Sequence, residues 1–158
     1  MKTEENKYIK MAIDLATDNV KSGNGGPFGA VIVKNGKVVA TGVNTVTTSH
    51  DPTAHAEVNA IRNACAKLED FQLDGCEIYS SCEPCPMCLG AIYWSRADKL
   101  YFAATKSDAS DAGFDDSFIY DEIALPITNR RLATTPINNI DKLQPFKAWK
   151  QLINKTEY

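Results

Sequence analysis

Two short segments hold most of the residues whose types and spacing could do chemistry. The first is His55-Ala56-Glu57, and the second is Pro84-Cys85-Pro86-Met87-Cys88. Cys85 and Cys88 are three positions apart, so on one helical turn both sulfurs face the same side. With a neutral His55 imidazole they give three ligands of the kind that zinc binds. A catalytic zinc site characteristically has three protein ligands and leaves the fourth tetrahedral position to water.

Such a site also needs a group that moves protons, and Glu57 is the candidate. Zinc lowers the pKa of a bound water from about 15.7 toward about 7, which provides a hydroxide nucleophile at neutral pH. A carboxyl group beside that water can accept its proton and later protonate a leaving group. Residues two apart on a regular helix point in nearly opposite directions. We therefore expect the metal to lie beyond a helix end, with His55 in the first turn.

Parts of the same pattern also fit other sites. Cys85 and Cys88 alone could form a redox pair or half of a structural zinc site, which usually has four protein ligands. His50 is the only other histidine that could supply a fourth ligand. Cys82 extends the run to three cysteines, as in an iron–sulfur site, but no cysteine follows Cys88 to complete it. The order, types and spacing of the residues favour the catalytic zinc site.

Length and composition predict one globular domain spanning residues 1–158. Hydrophobic residues make up 44% of the chain and charged residues 23%, which excludes a disordered protein. The net charge of −3 lacks the basic surplus of a typical nucleic-acid binder, so we expect no nucleic-acid partner. No apolar run is long enough to span a membrane. The polar N-terminus and the odd number of cysteines indicate a cytoplasmic protein rather than a secreted one.

The elements that must position these residues follow from periodicity and turn signals. Helices are predicted at about 6–20, 54–68, 86–95 (with Cys85 at its cap) and 145–153. Strands are predicted at 28–33, 37–43, 76–81 and 99–103, and Asn35-Gly36 predicts a hairpin between the first two. Segments 105–116 and 124–144 show no clear pattern. The alternation predicts an α/β sandwich with helices on both faces of a mixed sheet.

The sequence resembles the cytidine deaminase-like superfamily of zinc nucleobase deaminases. The resemblance covers essentially the whole chain and includes segments 25–30 (GGPFGA), 51–57 (DPTAHAE) and 81–94 (SCEPCPMCLGAIYW). The zinc motifs are shared by many relatives and indicate only the chemistry. Segment 112–120 (AGFDDSFIY) and the C-terminal Glu157-Tyr158 are more discriminating. They indicate a branch that deaminates the purine base guanine.

The resemblance implies the fold, the cofactor and the assembly. The fold would be a three-layer α/β/α sandwich around a mixed five-stranded sheet. Each subunit would hold one Zn²⁺ through His55, Cys85 and Cys88. The activity would be hydrolytic deamination of guanine to xanthine and ammonia in purine catabolism or salvage. A homodimer would exchange its C-terminal segments, about 142–158, so that Tyr158 of one chain closes the site of the other.

The resemblance also implies the residues that contact a small purine base. Glu57 would carry protons, with Asp116 as a second catalytic carboxylate. The base would be held by Asn44, the Ala56 backbone, Asp116 and Tyr158, and it would be sandwiched between Phe28 and Trp94. An amide offers both a donor and an acceptor, and aromatic faces stack on a base. From the residues alone, the two aromatics could instead be core, Asn44 a turn residue, Asp116 part of a solvated acidic loop and Tyr158 a frayed terminus.

Two alternative functions remain open at this point. One is a related zinc deaminase that acts on a nucleoside such as guanosine, on cytosine or on tRNA adenosine. The other is a non-catalytic binding module that zinc stabilises through a fourth protein ligand.

Overall fold

A computed structural model describes residues 3–158, and its contacts group the chain into two compact units, one ending at Asp116 and the other Ser117–Tyr158. The first unit contains α1 (Thr3–Lys21), β1 (Gly29–Lys34), β2 (Lys37–Val43), α2 (Val46–Ser49), α3 (Ala56–Leu68), β3 (Cys76–Cys82), α4 (Pro86–Trp94), β4 (Lys99–Ala104) and α5 (Lys106–Asp111). Each predicted helix and strand is present with its ends within three residues of the prediction.

The sheet is mixed, as predicted, with strand order β2-β1-β3-β4. β1 pairs antiparallel with both β2 and β3, whereas β3 and β4 are parallel. The expectation of five strands is wrong, because the described residues form four. After β4 the chain enters a helix at once, since Thr105 and Asp108 form a capping box that starts α5. The later segment 130–143 is irregular and contains Pro136, which cannot donate to a strand ladder.

The hairpin between β1 and β2 confirms its turn signal. Asn35 and Gly36 have φ values of 51° and 71°, and they join Lys34 to its partner Lys37. Both turn positions need positive φ, a conformation that asparagine and glycine adopt most readily.

Strand β1 lies at the centre of three layers. Its alternate residues Ala30 and Ile32 belong to a buried cluster with residues of α3 and α4. Val31 and Val33 belong to a second cluster with Tyr8 of α1 on the opposite face. Because side chains of a strand alternate between faces, this division places helices on both sides of the sheet. The predicted three-layer arrangement is therefore confirmed.

The start of α3 packs directly on β2 at Gly42. A Cβ atom at this position would overlap the carbonyl oxygen of Ala56 and the amide nitrogen of Ala60, and it would lie 3.0 Å from the Cα of Ala60. Only glycine allows this close approach of helix and strand backbones. The contact sets the position of the helix end that carries the first chemical motif.

The second unit contains α6 (Ser117–Ala124), a 3-10 helix (Ile127–Asn129) and α7 (Gln144–Gln151). The Arg130 guanidinium donates hydrogen bonds of 3.2 Å to the carbonyls of Ile123 and Leu125, near the C-terminal end of α6. None of the described residues of this unit is buried. Its exposed large apolar side chains are Phe118, Ile123, Leu125, Ile127, Leu132, Ile137, Ile140, Leu143, Phe146, Trp149, Leu152 and Ile153.

Across residues 3–158, no helix combines the length and the apolar character required to cross a bilayer.

Candidate active site

His55 and Glu57 reach one site because only Glu57 lies within a helix. His55 is the N-cap of α3, with φ −72° and ψ 158°, and the helix begins at Ala56 rather than at the predicted residue 54. The extended backbone at His55 frees its side chain from the helical direction. His55 therefore lies one residue before the first turn and not within it as expected, and its side chain can point past the start of the helix.

The two cysteine ligands lie at the start of a second helix. Cys85 is the N-cap of α4, with φ −63° and ψ 168°, and Pro86 occupies the first helical position. Cys88 lies one turn further on. The loop before Cys85 is anchored, because the Glu83 amide donates to the carbonyl of Ala104 at 2.8 Å. The Lys106 amide in turn donates to the Glu83 carboxylate at 3.1 Å.

The three predicted ligands converge. His55 Nδ1 lies 3.4 Å from Cys88 Sγ and 3.6 Å from Cys85 Sγ. Ordinary Zn–S and Zn–N bond lengths in a tetrahedral site separate nitrogen and sulfur ligands by about 3.6 Å. The three ligand atoms lie within 4.8 Å of one another. The chemistry and the spacing of the donors therefore fit one zinc ion.

No fourth protein ligand joins this group among the His, Cys, Asp and Glu residues that the structure describes. His50, the spare histidine, is exposed and caps the C-terminal end of α2. The thiol of Cys82 donates to the carbonyl of Thr105 at 3.5 Å. A closed four-ligand zinc site and an iron–sulfur site both need a fourth protein ligand, and the described residues supply none beside these three.

Hydrogen bonding favours the thiolate form of Cys85. The hydrogen bonds from Cys88 and then from His55 lower the pKa of the Cys85 thiol to about 4. The hydrogen bond with Cys85 likewise raises the pKa of His55. A thiolate is the form in which cysteine binds a metal.

Glu57 is buried beside this group, with 5% of its surface exposed. The hydroxyl of Ser80 on β3 donates to Glu57 Oε1 at 2.9 Å. Burial raises the pKa of the Glu57 carboxyl above its usual value. A carboxylate with a raised pKa is a stronger base, which suits a residue that accepts and returns protons.

A cavity of about 590 Å³ opens beside the metal ligands, within the range of about 300–1,000 Å³ that is usual for small-molecule sites. The predicted residues along its wall are Phe28, Asn44, His55, Glu57, Cys85 and Asp116. Ala56 is buried at the start of α3. Trp94, at the end of α4, is 62% exposed and does not line the cavity, and Tyr158 belongs to the second unit and is 72% exposed.

Asn44 lines the cavity, and its side-chain oxygen is already hydrogen-bonded. Its Oδ1 accepts hydrogen bonds from the amides of Gly26 at 3.3 Å and Val46 at 3.2 Å. No hydrogen bond from Asn44 Nδ2 is formed with the described residues. The Nδ2 group, not the oxygen, is thus available to a ligand. Of the donor and the acceptor that the sequence offered, the donor is the one left for a base.

Asp116 lines the cavity, although segment 105–116 shows no clear pattern in the sequence. Burial raises the pKa of its carboxyl, and Lys106, another residue of the cavity wall, counteracts this shift. Sequence reasoning gave no role to Lys106 or to Phe114. The Phe114 ring packs edge-to-face on Phe28, with centroids 5.0 Å apart. Phe114 belongs to the discriminating segment 112–120, which was the only signal that pointed to it.

The fold and the site together define a zinc-dependent deaminase. The chain matches the model of the cytidine and deoxycytidylate deaminase zinc-binding region over residues 2–104, and it belongs to this family. Zinc is the family's metal, and His55, Cys85 and Cys88 suit one ion per subunit.

Particular relatives refine this assignment. The chain is 56% identical over 151 residues to guanine deaminase from Bacillus subtilis, a match that covers 96% of this chain and 97% of that protein. A crystal structure of the Bacillus subtilis guanine deaminase superposes with a TM-score of 0.96 at 54% identity, covering 100% of this chain and 99% of the other. The tRNA-specific adenosine deaminase of Aquifex aeolicus is 42% identical over 97 residues, or 61% of this chain and 64% of that protein.

Proposed function

We propose that this chain catalyses the zinc-dependent hydrolytic deamination of guanine to xanthine and ammonia. The observation that carries the proposal is the three-ligand group His55, Cys85 and Cys88, with the buried Glu57 carboxylate beside it, at the wall of a cavity of about 590 Å³. The similarity to guanine deaminase, which extends over nearly the whole chain, supports guanine as the substrate.

Glu57 moves the protons of this reaction. When bound by the three ligands, zinc supplies a water molecule acidic enough to react as hydroxide near neutral pH. Glu57 would accept a proton from the attacking water as the new C–O bond forms at the carbon that bears the exocyclic amine. The carboxyl group then protonates the adjacent ring nitrogen and is left as a carboxylate. It next takes the remaining proton from the hydroxyl group that was added to the carbon and delivers it to the amine, so the C–N bond breaks, a carbonyl forms and ammonia leaves. The hydrogen bond from Ser80 holds the carboxylate in place during these transfers.

The cavity wall offers a complementary surface for a flat purine. Phe28 provides an aromatic face on which a base can stack. The Nδ2 of Asn44 donates to an acceptor on the base, and an ionised Asp116 accepts from its N–H edge or from the leaving amine. The backbone of Ala56 lies next to the metal ligand His55 and supplies a further hydrogen-bonding group.

The substrate assignment is tested by a panel of compounds. The zinc-loaded protein is incubated separately with guanine, guanosine, adenine, cytosine and tRNA, and released ammonia is measured. We expect ammonia from guanine at a kcat/KM at least tenfold above that for each other compound. A preference for tRNA would instead indicate a tRNA adenosine deaminase activity. Binding of tRNA, and hence the rate, should then fall steeply as the salt concentration rises.

We also propose a homodimer in which the C-terminal segments are exchanged, so that Tyr158 serves the site of the other chain. Supporting this is the second unit, which buries none of its described residues and exposes a dozen large apolar side chains. Trp94, exposed and outside its own chain's cavity, is a further candidate for contact with the second copy.

Complementation between two inactive chains tests the exchange. One variant carries Glu57→Gln with an intact C-terminus, and the other has an intact Glu57 but lacks Tyr158. If segments are exchanged, unfolding and refolding the two together creates one complete site per mixed dimer, which restores about a quarter of the wild-type activity. Without exchange, the mixture is no more active than its components.

A cytoplasmic location is part of the same proposal. None of the five cysteines forms a disulfide, and free thiols and thiolate ligands persist best in a reducing compartment.

A further inference from the structure

Asn19 lies on α1, outside every motif named in the sequence, yet it hydrogen-bonds to two residues of the cavity wall. It is 4% exposed. Its Nδ2 group donates two hydrogen bonds, one to the carbonyl of Gly26 at 2.9 Å and one to the carbonyl of Asn44 at 2.8 Å. Both N–H groups of the amide are therefore used on two separate backbone segments that line the cavity.

These bonds form part of a closed network. Gly26 is held on both sides, because its carbonyl accepts from Asn19 and its amide donates to the side chain of Asn44. The neighbouring Gly25 packs so closely that a Cβ atom there would overlap the Asn44 carbonyl. The side chain of Asn44 consequently has its oxygen fixed by backbone amides, and its Nδ2 is the part left for a ligand.

The side-chain oxygen of Asn19 does not contribute to the stability of the fold. Its Oδ1 is buried and has no hydrogen-bond partner in the described part of the chain. A buried acceptor without a partner destabilises a fold, and an apolar residue would avoid that cost. The two N–H donors are the feature that an apolar residue could not replace.

We propose that Asn19 is a positioning residue for base recognition, which acts by clamping Gly26 and Asn44 so that Asn44 Nδ2 faces the substrate. The inference rests on the proposed function, since Asn44 is taken to contact the base. Asn19 itself does not line the cavity, so its effect must pass through Asn44. This dependence distinguishes it from a residue that only stabilises the fold.

A double-mutant cycle tests the dependence. Asn19→Asp keeps the shape of the side chain but removes both donors, and Asn19→Ala also removes the orphaned oxygen and leaves no buried charge. Each is made alone and in an Asn44→Ala background, and kcat and KM for guanine are measured on zinc-loaded protein below the melting temperature. We expect each single variant at Asn19 to raise KM about tenfold and to change kcat less than about threefold. In the Asn44→Ala background the same changes should alter KM less than about twofold.

Asn63→Asp is the matched control. Asn63 also donates through Nδ2 to a backbone carbonyl, that of Thr41 at 2.9 Å, but it is exposed and does not line the cavity. Its KM should stay within twofold of wild type. The positioning role would be overturned if the Asn19 variants raised KM by the same factor with and without Asn44→Ala. It would also be overturned if they lowered kcat and thermal stability while KM stayed unchanged. Wild-type protein that releases no ammonia from guanine would instead overturn the proposed function, and the inference with it.

Discussion

The substitution Gly42→Ala should damage both stability and activity, although Gly42 touches no substrate. The added methyl group would overlap the Ala56 oxygen and the Ala60 nitrogen of α3. Restoring van der Waals contact requires the helix start to move by about 1 Å, and such overpacking typically costs about 1–3 kcal/mol of stability.

The same movement would also displace the active-site residues at the start of α3. Ala56 stands between His55 and Glu57, so a displaced helix start carries both side chains away from the cysteine ligands. A misplacement of about 1 Å near a reacting group can lower the rate by about 100-fold. We therefore expect kcat/KM for guanine to fall by one to two orders of magnitude, in addition to a lower urea midpoint.

Urea unfolding, zinc content and ammonia release on the same preparations measure the three effects. Gly90→Ala is the control, because a Cβ at Gly90 in α4 meets nothing within 4 Å. It should gain about 0.5–1 kcal/mol from the better helix propensity of alanine and keep its activity. Equal stability and activity of Gly42→Ala and wild type would refute the argument that this close contact positions the site.

Three further predictions concern the chemical groups themselves. Glu57→Gln should keep its zinc but lose about 10²- to 10⁴-fold in kcat, as expected for loss of a general acid–base group; near-normal ammonia release would exclude Glu57 as the proton carrier. Cys85→Ala should lose zinc on dialysis, as metal analysis would show, and a fully metallated variant would contradict the ligand assignment. Deletion of Tyr158 should lower kcat/KM for guanine by about 100-fold or more, because the site is no longer closed over the base, with little change in melting temperature; unchanged kinetics would remove the C-terminus from the active site.

The metal site was predictable because its determinants are local in sequence. The spacing of Cys85 and Cys88 places two sulfurs on one helical turn, and Pro86 marks the helix start that makes Cys85 the cap. His55 and Glu57 required the inference that the metal lies beyond a helix end, and the extended backbone at His55 is how the chain achieves it.

Contacts between distant segments could not be predicted from local pattern. The hydrogen bonds of Asn19 join residues 7 and 25 positions apart, and the packing of Phe114 on Phe28 joins two loops. Helix α5 was missed because it is short and is defined by the Thr105 capping box rather than by apolar periodicity. The fifth strand was expected only from the family resemblance, and the irregular, proline-containing segment after α6 does not form it.

We conclude that this chain deaminates guanine with one zinc ion held by His55, Cys85 and Cys88. The most direct test of this conclusion titrates metal-depleted protein with zinc and follows bound metal and ammonia release from guanine in the same samples. The rate should rise in proportion to bound zinc and reach its maximum at one ion per chain. Ammonia release that does not depend on zinc, or no release when every site holds zinc, would show that this metal site does not carry the reaction.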